Sequence, residues 1–173
     1  SAECAVTVVL LDSISVTKMP TKTEYYVGGT LDTTGLEITA TYTDGSTKIV
    51  DNGFVISGFA SSVAGKNTIT VAYDGKTATF DVVIKAPSIA LSESSLAFYL
   101  IGKTATLTAT TVPSDSEIVW KSSDESVATV ENGVVTAKGA GNATITATIN
   151  VNGIEYSAEC AVTVVLLDSI SVT

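Results

Sequence analysis

The 173-residue chain carries nine lysines, eighteen acidic residues and neither arginine nor histidine, which leaves a net charge of −9. That balance disfavours nucleic acid, and the missing imidazole removes Ser-His and Cys-His nucleophile pairs and His-rich zinc sites. Hydrophobic residues make up 45% of the chain, mostly Val, Ile, Ala and Leu beside abundant Thr, a mixture suited to pleated surfaces; no apolar run approaches the roughly 18 residues a membrane-spanning helix needs.

Residues 1–17, SAECAVTVVLLDSISVT, recur unchanged at 157–173, 156 positions further on. Self-similarity of this kind marks a tandem array, and a period far beyond the roughly 20 to 50 residues of solenoids implies that each unit holds whole domains. Residues 12–17 open the first domain as a strand. Leu36, Ile38, Ala40 and Tyr42 then alternate with Glu37, Thr39, Thr41 and Thr43, the period-2 pattern of a strand with one buried face, and Asp44-Gly45 ends it. Ile69, Val71 and Tyr73 lead through Asp74-Gly75 to Ala78, Phe80, Val82 and Ile84, which reads as a hairpin. Lys85, Ala86 and Pro87 mark the domain boundary, because proline cannot continue a sheet ladder.

The second half follows the same logic. Ala105, Leu107 and Ala109 read as one strand, and Ile118 and Trp120 as another; Val127 to Val130 returns after Asn132-Gly133 as Val134 to Ala137. The last hairpin is the clearest: Ala143, Ile145, Ala147 and Ile149 lead to Asn152-Gly153, then Tyr156, Ala158, Cys160, Val162 and Val164 on one face. No segment sustains a helical period. Short strands between turn dipeptides predict an all-β fold of two consecutive domains, β-sandwiches or barrels.

Particular motifs carry a family resemblance. Tyr26-Val27-Gly28, Leu31-Asp32, Gly35-Leu36, Tyr42-Thr43-Asp44-Gly45 and Phe80-Asp81-Val82 make the first half resemble the group 3 bacterial immunoglobulin-like domain. Val112-Pro113, Trp120, Ser122-Ser123-Asp124, Val127-Ala128, Gly133 to Ala137, Gly139 and Gly141 to Thr146 make the second half resemble the group 2 domain. The expected organisation is therefore a last strand of a preceding group 2 repeat at 1–10, a group 3 domain at 11–86, a group 2 domain at 87–166 and the first strand of the next group 3 repeat at 167–173. The resemblance implies a bacterial cell exterior, where such domains serve as spacers and sometimes as adhesive tips. It supplies no catalytic residue.

Individual side chains agree with that reading. Trp120 is expected in the core of the second domain, while Tyr25, Tyr26 and Tyr99 are the more plausible surface aromatics. Asp32, Asp44, Asp51, Asp74 and Asp124 sit in loops that could collect calcium, yet none spaces three carboxylates as a calcium loop does, and Asp-Gly is turn chemistry. Asn142-Ala143-Thr144 fits the glycosylation pattern but lies at a strand start. Cys160 should point inward; Cys4 occupies the same repeat position without a parent domain, so an intermolecular disulfide is conceivable only there. Lys66, Lys76, Lys103 and Lys138 flank glycines in turn-like sequence, a poor setting for a side-chain crosslink. No catalytic, cofactor-binding or metal residue is assigned, and no cofactor.

The expected function is a structural stalk or spacer repeat of a bacterial cell-surface or secreted adhesin-like protein, not an enzyme. The alternative is a module that recognises a host protein or glycan through loops or strand edges, and a third reading is an accessory domain of a secreted glycosidase. Met19 is the only methionine, and the chain reads as an excerpt of a longer protein. Its expected partners are neighbouring repeats, with junctions too short to hinge freely, and it is not expected to span a membrane. Because the duplicated ends are identical, residues 1–9 could pair with another molecule in place of its residues 157–165. Deleting residues 1–9 is expected to abolish head-to-tail association in sedimentation at high concentration and leave both domains folded by NMR; loss of either fold would refute the register.

Overall fold

The computed structural model describes residues 7–166, and among these there is no helix. The chain divides into two compact units between Lys85 and Ala86. The first contains β1 (Leu11–Lys18), β2 (Glu24–Tyr26), β3 (Glu37–Tyr42), β4 (Thr47–Ile49), β5 (Val55–Ser57), β6 (Gly65–Tyr73) and β7 (Lys76–Lys85). They form a three-stranded sheet, β1-β3-β4, and a four-stranded sheet, β2-β7-β6-β5.

Alternation decides which side chains go inside. Ile38 and Ala40 from β3, Ile69 and Val71 from β6, and Phe80, Val82 and Ile84 from β7 are buried, and with Ile14 of β1 they join the two sheets into one core. Burying an Ile, Val or Phe side chain contributes about 1.5 to 3 kcal/mol. Asp74 and Gly75, at φ 44° and 77°, make a two-residue turn between Tyr73 and Lys76. Positive φ at both positions matches the right-handed twist of the hairpin, which is why Asp-Gly suits this corner.

The second unit contains β8 (Ser88–Leu91), β9 (Ser95–Phe98), β10 (Thr104–Thr106), β11 (Ala109–Val112), β12 (Val119–Ser122), β13 (Ala128–Glu131), β14 (Val134–Ala137), β15 (Gly141–Val151) and β16 (Ile154–Val164). Its largest sheet is β12-β15-β16-β9; β10-β14-β13 and the pair β11-β8 complete the sandwich. Phe98, Leu107, Val135, Ile145, Cys160 and Val162 lie in one core cluster drawn from both sides. The alternating residues of β15 and β16 face inward as their sequence pattern predicts, with Asn152 and Gly153 turning the chain at φ 54° and 83°.

The run from Ala105 to Ala109 is not one strand. β10 pairs with β14, whereas β11 pairs with β8, so the chain changes sheets at Leu107 and Thr108. The switch is stitched by Leu107 N–H donating to Gly133 O (2.8 Å) and by Thr108 N–H donating to Ser92 Oγ (3.1 Å). Period-2 spacing passes through such a corner unbroken, because both halves keep an inward face.

Both units close in the same way. The last strand, β7 or β16, runs antiparallel to the strand before it and parallel to a short strand near the start of its unit: Tyr25 opposite Ile84 in one, Leu96 opposite Val162 in the other. The duplicated sequence shows what that closure does. Val164 at the end of β16 is 2% exposed, while Val8, the same position of the repeat, is 67% exposed and outside any strand. Residues 1–6 and 167–173, where most of the expected orphan strands fall, lie outside the described residues, as does Cys4.

The turns make a quantitative distinction. A Cβ on Gly133 would run into Leu107 O and sit 3.2 Å from the Trp120 ring, whereas one on Gly153 would meet nothing within 4 Å. Gly153→Ala is therefore expected to cost about 1 kcal/mol, the left-handed backbone penalty alone. Gly133→Ala should add a further ~1–3 kcal/mol of overpacking. Urea unfolding followed on the second domain should rank them in that order; equal costs would contradict the close approach at Gly133.

Candidate functional site

Polar side chains that sequence reasoning singles out turn out to be engaged in holding corners. Ser122 is buried beside β13, its Oγ donating to Ala128 O (2.7 Å) and accepting from Asp124 N–H (3.2 Å). Ser123 Oγ accepts from Thr144 N–H (2.8 Å), tying the next residue to β15. Asp124 Oδ1 accepts from Ser126 N–H (2.9 Å) and Ser126 Oγ (2.5 Å). The Ser-Ser-Asp motif thus satisfies the backbone where the chain crosses between two sheets, a place where unpaired groups would be costly.

Asp32 and Asp44 repeat the Asp124 arrangement. Asp32 Oδ1 accepts from Thr34 N–H (2.9 Å) and Thr34 Oγ1 (2.6 Å), and Asp44 Oδ1 accepts the same pair from Ser46 (2.9 and 2.6 Å). All three are Asp-x-Ser/Thr turns in which the carboxylate caps the chain two residues on. These hydrogen bonds, the side-chain one foremost, hold each carboxyl below the usual carboxylate range. Among the described residues no three acidic or cysteine side chains come together in a way that could hold a metal ion.

Two aromatic expectations need correction. Tyr25 is not a surface residue but 2% exposed, stacked edge-on against Phe59 at 5.2 Å between centroids. Its Oη lies 3.0 Å from the carbonyls of both Lys22 and Asp32 and accepts from Asp32 N–H (3.1 Å). A phenol can therefore be buried here because its polar tip finds partners in the 22–32 loop. Trp120, conversely, is not the centre of its core: it is half-buried and packs against the cluster from its rim, while Ile145 and Cys160 are fully covered. Trp120 comes from β12, the edge strand of its sheet, so one side of the indole has no neighbouring strand to cover it.

The remaining candidates behave as expected of structural residues. Cys160 is buried, and that burial, with the charge of Glu93 in second place, raises its thiol above the ordinary value; a nucleophilic thiol needs the opposite shift. Asn142 lies in β15 and accepts from Thr163 Oγ1 (2.9 Å) across the hairpin. No lysine is buried among the described residues, and Lys66 forms a surface pair with Asp81 (2.9 Å), so none of them meets the buried Lys–acid geometry that a crosslink requires.

Tyr99 is exposed as expected, but the apolar run it opens escaped sequence reasoning. Tyr99, Leu100 and Ile101, between β9 and β10, are 66%, 56% and 56% exposed, and the loop borders a shallow cavity of about 420 Å3 with Phe98, Lys103 and Ala105. The signal was present as three consecutive large apolar residues before Gly102. Period-2 reading overlooks such a run because it has no alternation.

Comparison with known proteins fits this geometry of two closed sandwiches. Residues 19–83 match the bacterial Ig-like domain of group 3, and residues 85–159 match that of group 2. The chain belongs to the bacterial immunoglobulin-like domains. Over 77 aligned residues the chain is 51% identical to exo-beta-1,6-galactobiohydrolase of Bifidobacterium longum subsp. longum, covering 41% of this chain and 5% of that protein. A 98-residue stretch is 37% identical to pectate lyase L of Thermoclostridium stercorarium, covering 54% of the chain and 8% of the relative. The chain thus spans less than a tenth of either. Among solved structures, domains 1–6 of surface layer protein SbsC are similar over 96% of this chain and 30% of that one, at 17% identity and TM-score 0.41.

The Asp-x-Ser/Thr turns give a pH dependence with a definite sign. A carboxyl whose pKa is lower folded than unfolded stabilises the fold above the unfolded value, about 3.9, and loses that contribution as pH falls through the folded value. Stability should be insensitive to these three groups above about pH 5 and decline at lower pH. Ser126→Ala is expected to return Asp124 toward the ordinary range, read from its carboxyl carbon in an NMR pH titration; an unmoved Asp124 would show that the side-chain hydrogen bond is not the cause.

Proposed function

We propose that the chain is one unit of a structural spacer array in a bacterial cell-surface or secreted protein, alternating group 3 and group 2 immunoglobulin-like domains, and that it performs no chemistry itself. The observation that carries this reading is the unchanged return of residues 1–17 after 156 positions. The polar residues of the loops are absorbed in turns and sheet corners, which leaves the unit suited to bearing other modules. Its net negative charge of −9 disfavours association between separate molecules.

A second reading is favoured by the relatives' names: a galactobiohydrolase and a pectate lyase both carry matching segments. On that reading the unit is an accessory part of a secreted carbohydrate-active enzyme and contributes a weak glycan contact or spacing to a catalytic domain elsewhere. Recognition of a host protein or glycan by the exposed loops belongs to the same class of binding role.

Two measurements separate the readings. Chains carrying one, two and three copies of the 156-residue period, followed by small-angle scattering, are expected to gain a constant increment in maximum dimension per copy, on the order of 60 to 80 Å if the strands lie along the array. A dimension that does not grow would overturn the spacer reading. Affinity electrophoresis of the single unit in galactan and in pectin should show no retardation; clear retardation would favour the accessory role.

A further inference from the structure

The duplicated segment fixes where one domain ends and the next begins more tightly than its length suggests. In the group 2 domain, Val165 N–H donates to Phe98 O (2.8 Å), so the chain remains bonded to that domain one residue past β16. In the group 3 domain, Leu10 N–H donates to Thr43 Oγ1 (3.1 Å) and Leu10 O accepts from Thr43 N–H (2.9 Å), so the chain is already bonded to that domain one residue before β1. Leu10 and Leu166 are the same position of the repeat. If the array continues, consecutive residues 165 and 166 are therefore clamped to successive domains, with Cα atoms only about 3.8 Å apart. No residue is left over as a linker.

The residue that clamps Val165 is Phe98, and the next three in the chain are the exposed Tyr99, Leu100 and Ile101. This loop is held on its other side as well: Gly102 N–H donates to Ala137 O (2.8 Å), and Ala137 N–H donates to Lys103 O (2.9 Å). It is thus a pinned apolar projection beside the point where the chain leaves the domain, next to the exposed Val165 and Leu166. The group of the following domain brought to the same point is the turn that clamps Leu10, residues 43–46, which carries Asp44. Lys103 borders the cavity beside the loop and is opposite in charge to Asp44.

We propose that Tyr99, Leu100 and Ile101 form the docking surface for the next repeat, packing against the turn formed by that repeat's copies of residues 43–46. The occupant is the following group 3 domain of the same chain. Exposed apolar runs of this kind mark interaction surfaces, and the zero-length junction makes this neighbour the one that arrives at the loop. The junction would then be a fixed contact and not a hinge. The inference rests on the reading of the chain as one unit of an array.

The test uses a chain in which residues 18–173 are repeated after Thr173, giving two copies of the loop. A soluble paramagnetic probe should broaden the NMR signals of the second copy's Tyr99, Leu100 and Ile101, which have no domain after them, and spare those of the first copy. Replacing the first loop with Tyr99→Ser, Leu100→Ser and Ile101→Ser should shift the amide signals of the second copy's residues 43–46, while the same changes in the single unit leave both domains folded, because the side chains face solvent there. Equal broadening of both loops would overturn the proposal, and so would shifts confined to the loop's own domain. If the first loop is spared but scattering shows no growth with copy number, the docking stands and the spacer reading fails. If the dimension grows and both loops broaden equally, the spacer reading stands and the docking fails.

Discussion

Each domain depends on its last strand having a neighbour on both sides. β7 and β16 complete the hairpins that carry most of the inward-facing aliphatic residues, and each also receives a short parallel strand from near the beginning of its unit. Without the last strand, the preceding strand would lose one of its two ladders and the core its floor at once. Val8 shows the isolated case: a sequence that is strand and core at 164 has neither strand nor cover at position 8. Local propensity for β structure is the same in both places, so tertiary pairing decides the outcome.

That dependence explains what could be read from the sequence. Alternation and turn dipeptides located β3, β6, β7 and the β15–β16 hairpin, because a half-buried strand must alternate and a two-residue hairpin turn must tolerate positive φ. The break between β10 and β11 was invisible, since a strand that changes sheets can keep its inward period. Tyr25 was misplaced because a lone tyrosine reads as amphipathic; its burial depends on carbonyls at positions 22 and 32 that come to it only through the loop's fold. Trp120 was placed too deep because sequence does not reveal which strands become edges.

Candidate ligand residues meet a similar limit from the other direction. Aspartates in loops are ambiguous in sequence between cation ligands and backbone caps, and the side chain two residues later resolves them: Thr34, Ser46 and Ser126 each present both N–H and hydroxyl to the carboxylate. Ser122 is the less obvious case, a small polar residue whose burial is offset by two hydrogen bonds across a corner. The apolar loop at 99–101 is the exception to this economy, since its side chains stay exposed on their own domain.

The parallel pairing of the second and last strands of each unit has a mechanical consequence. Once the first strand, β1 or β8, has been drawn out of its own sheet, a pull on the two ends of a domain drags the second and last strands past each other along their length. The hydrogen bonds between β9 and β16, and between β2 and β7, then share the load together, instead of opening one after another as they would if peeled from one end. Tension transmitted along a tandem of such domains meets that resistance at each domain in turn.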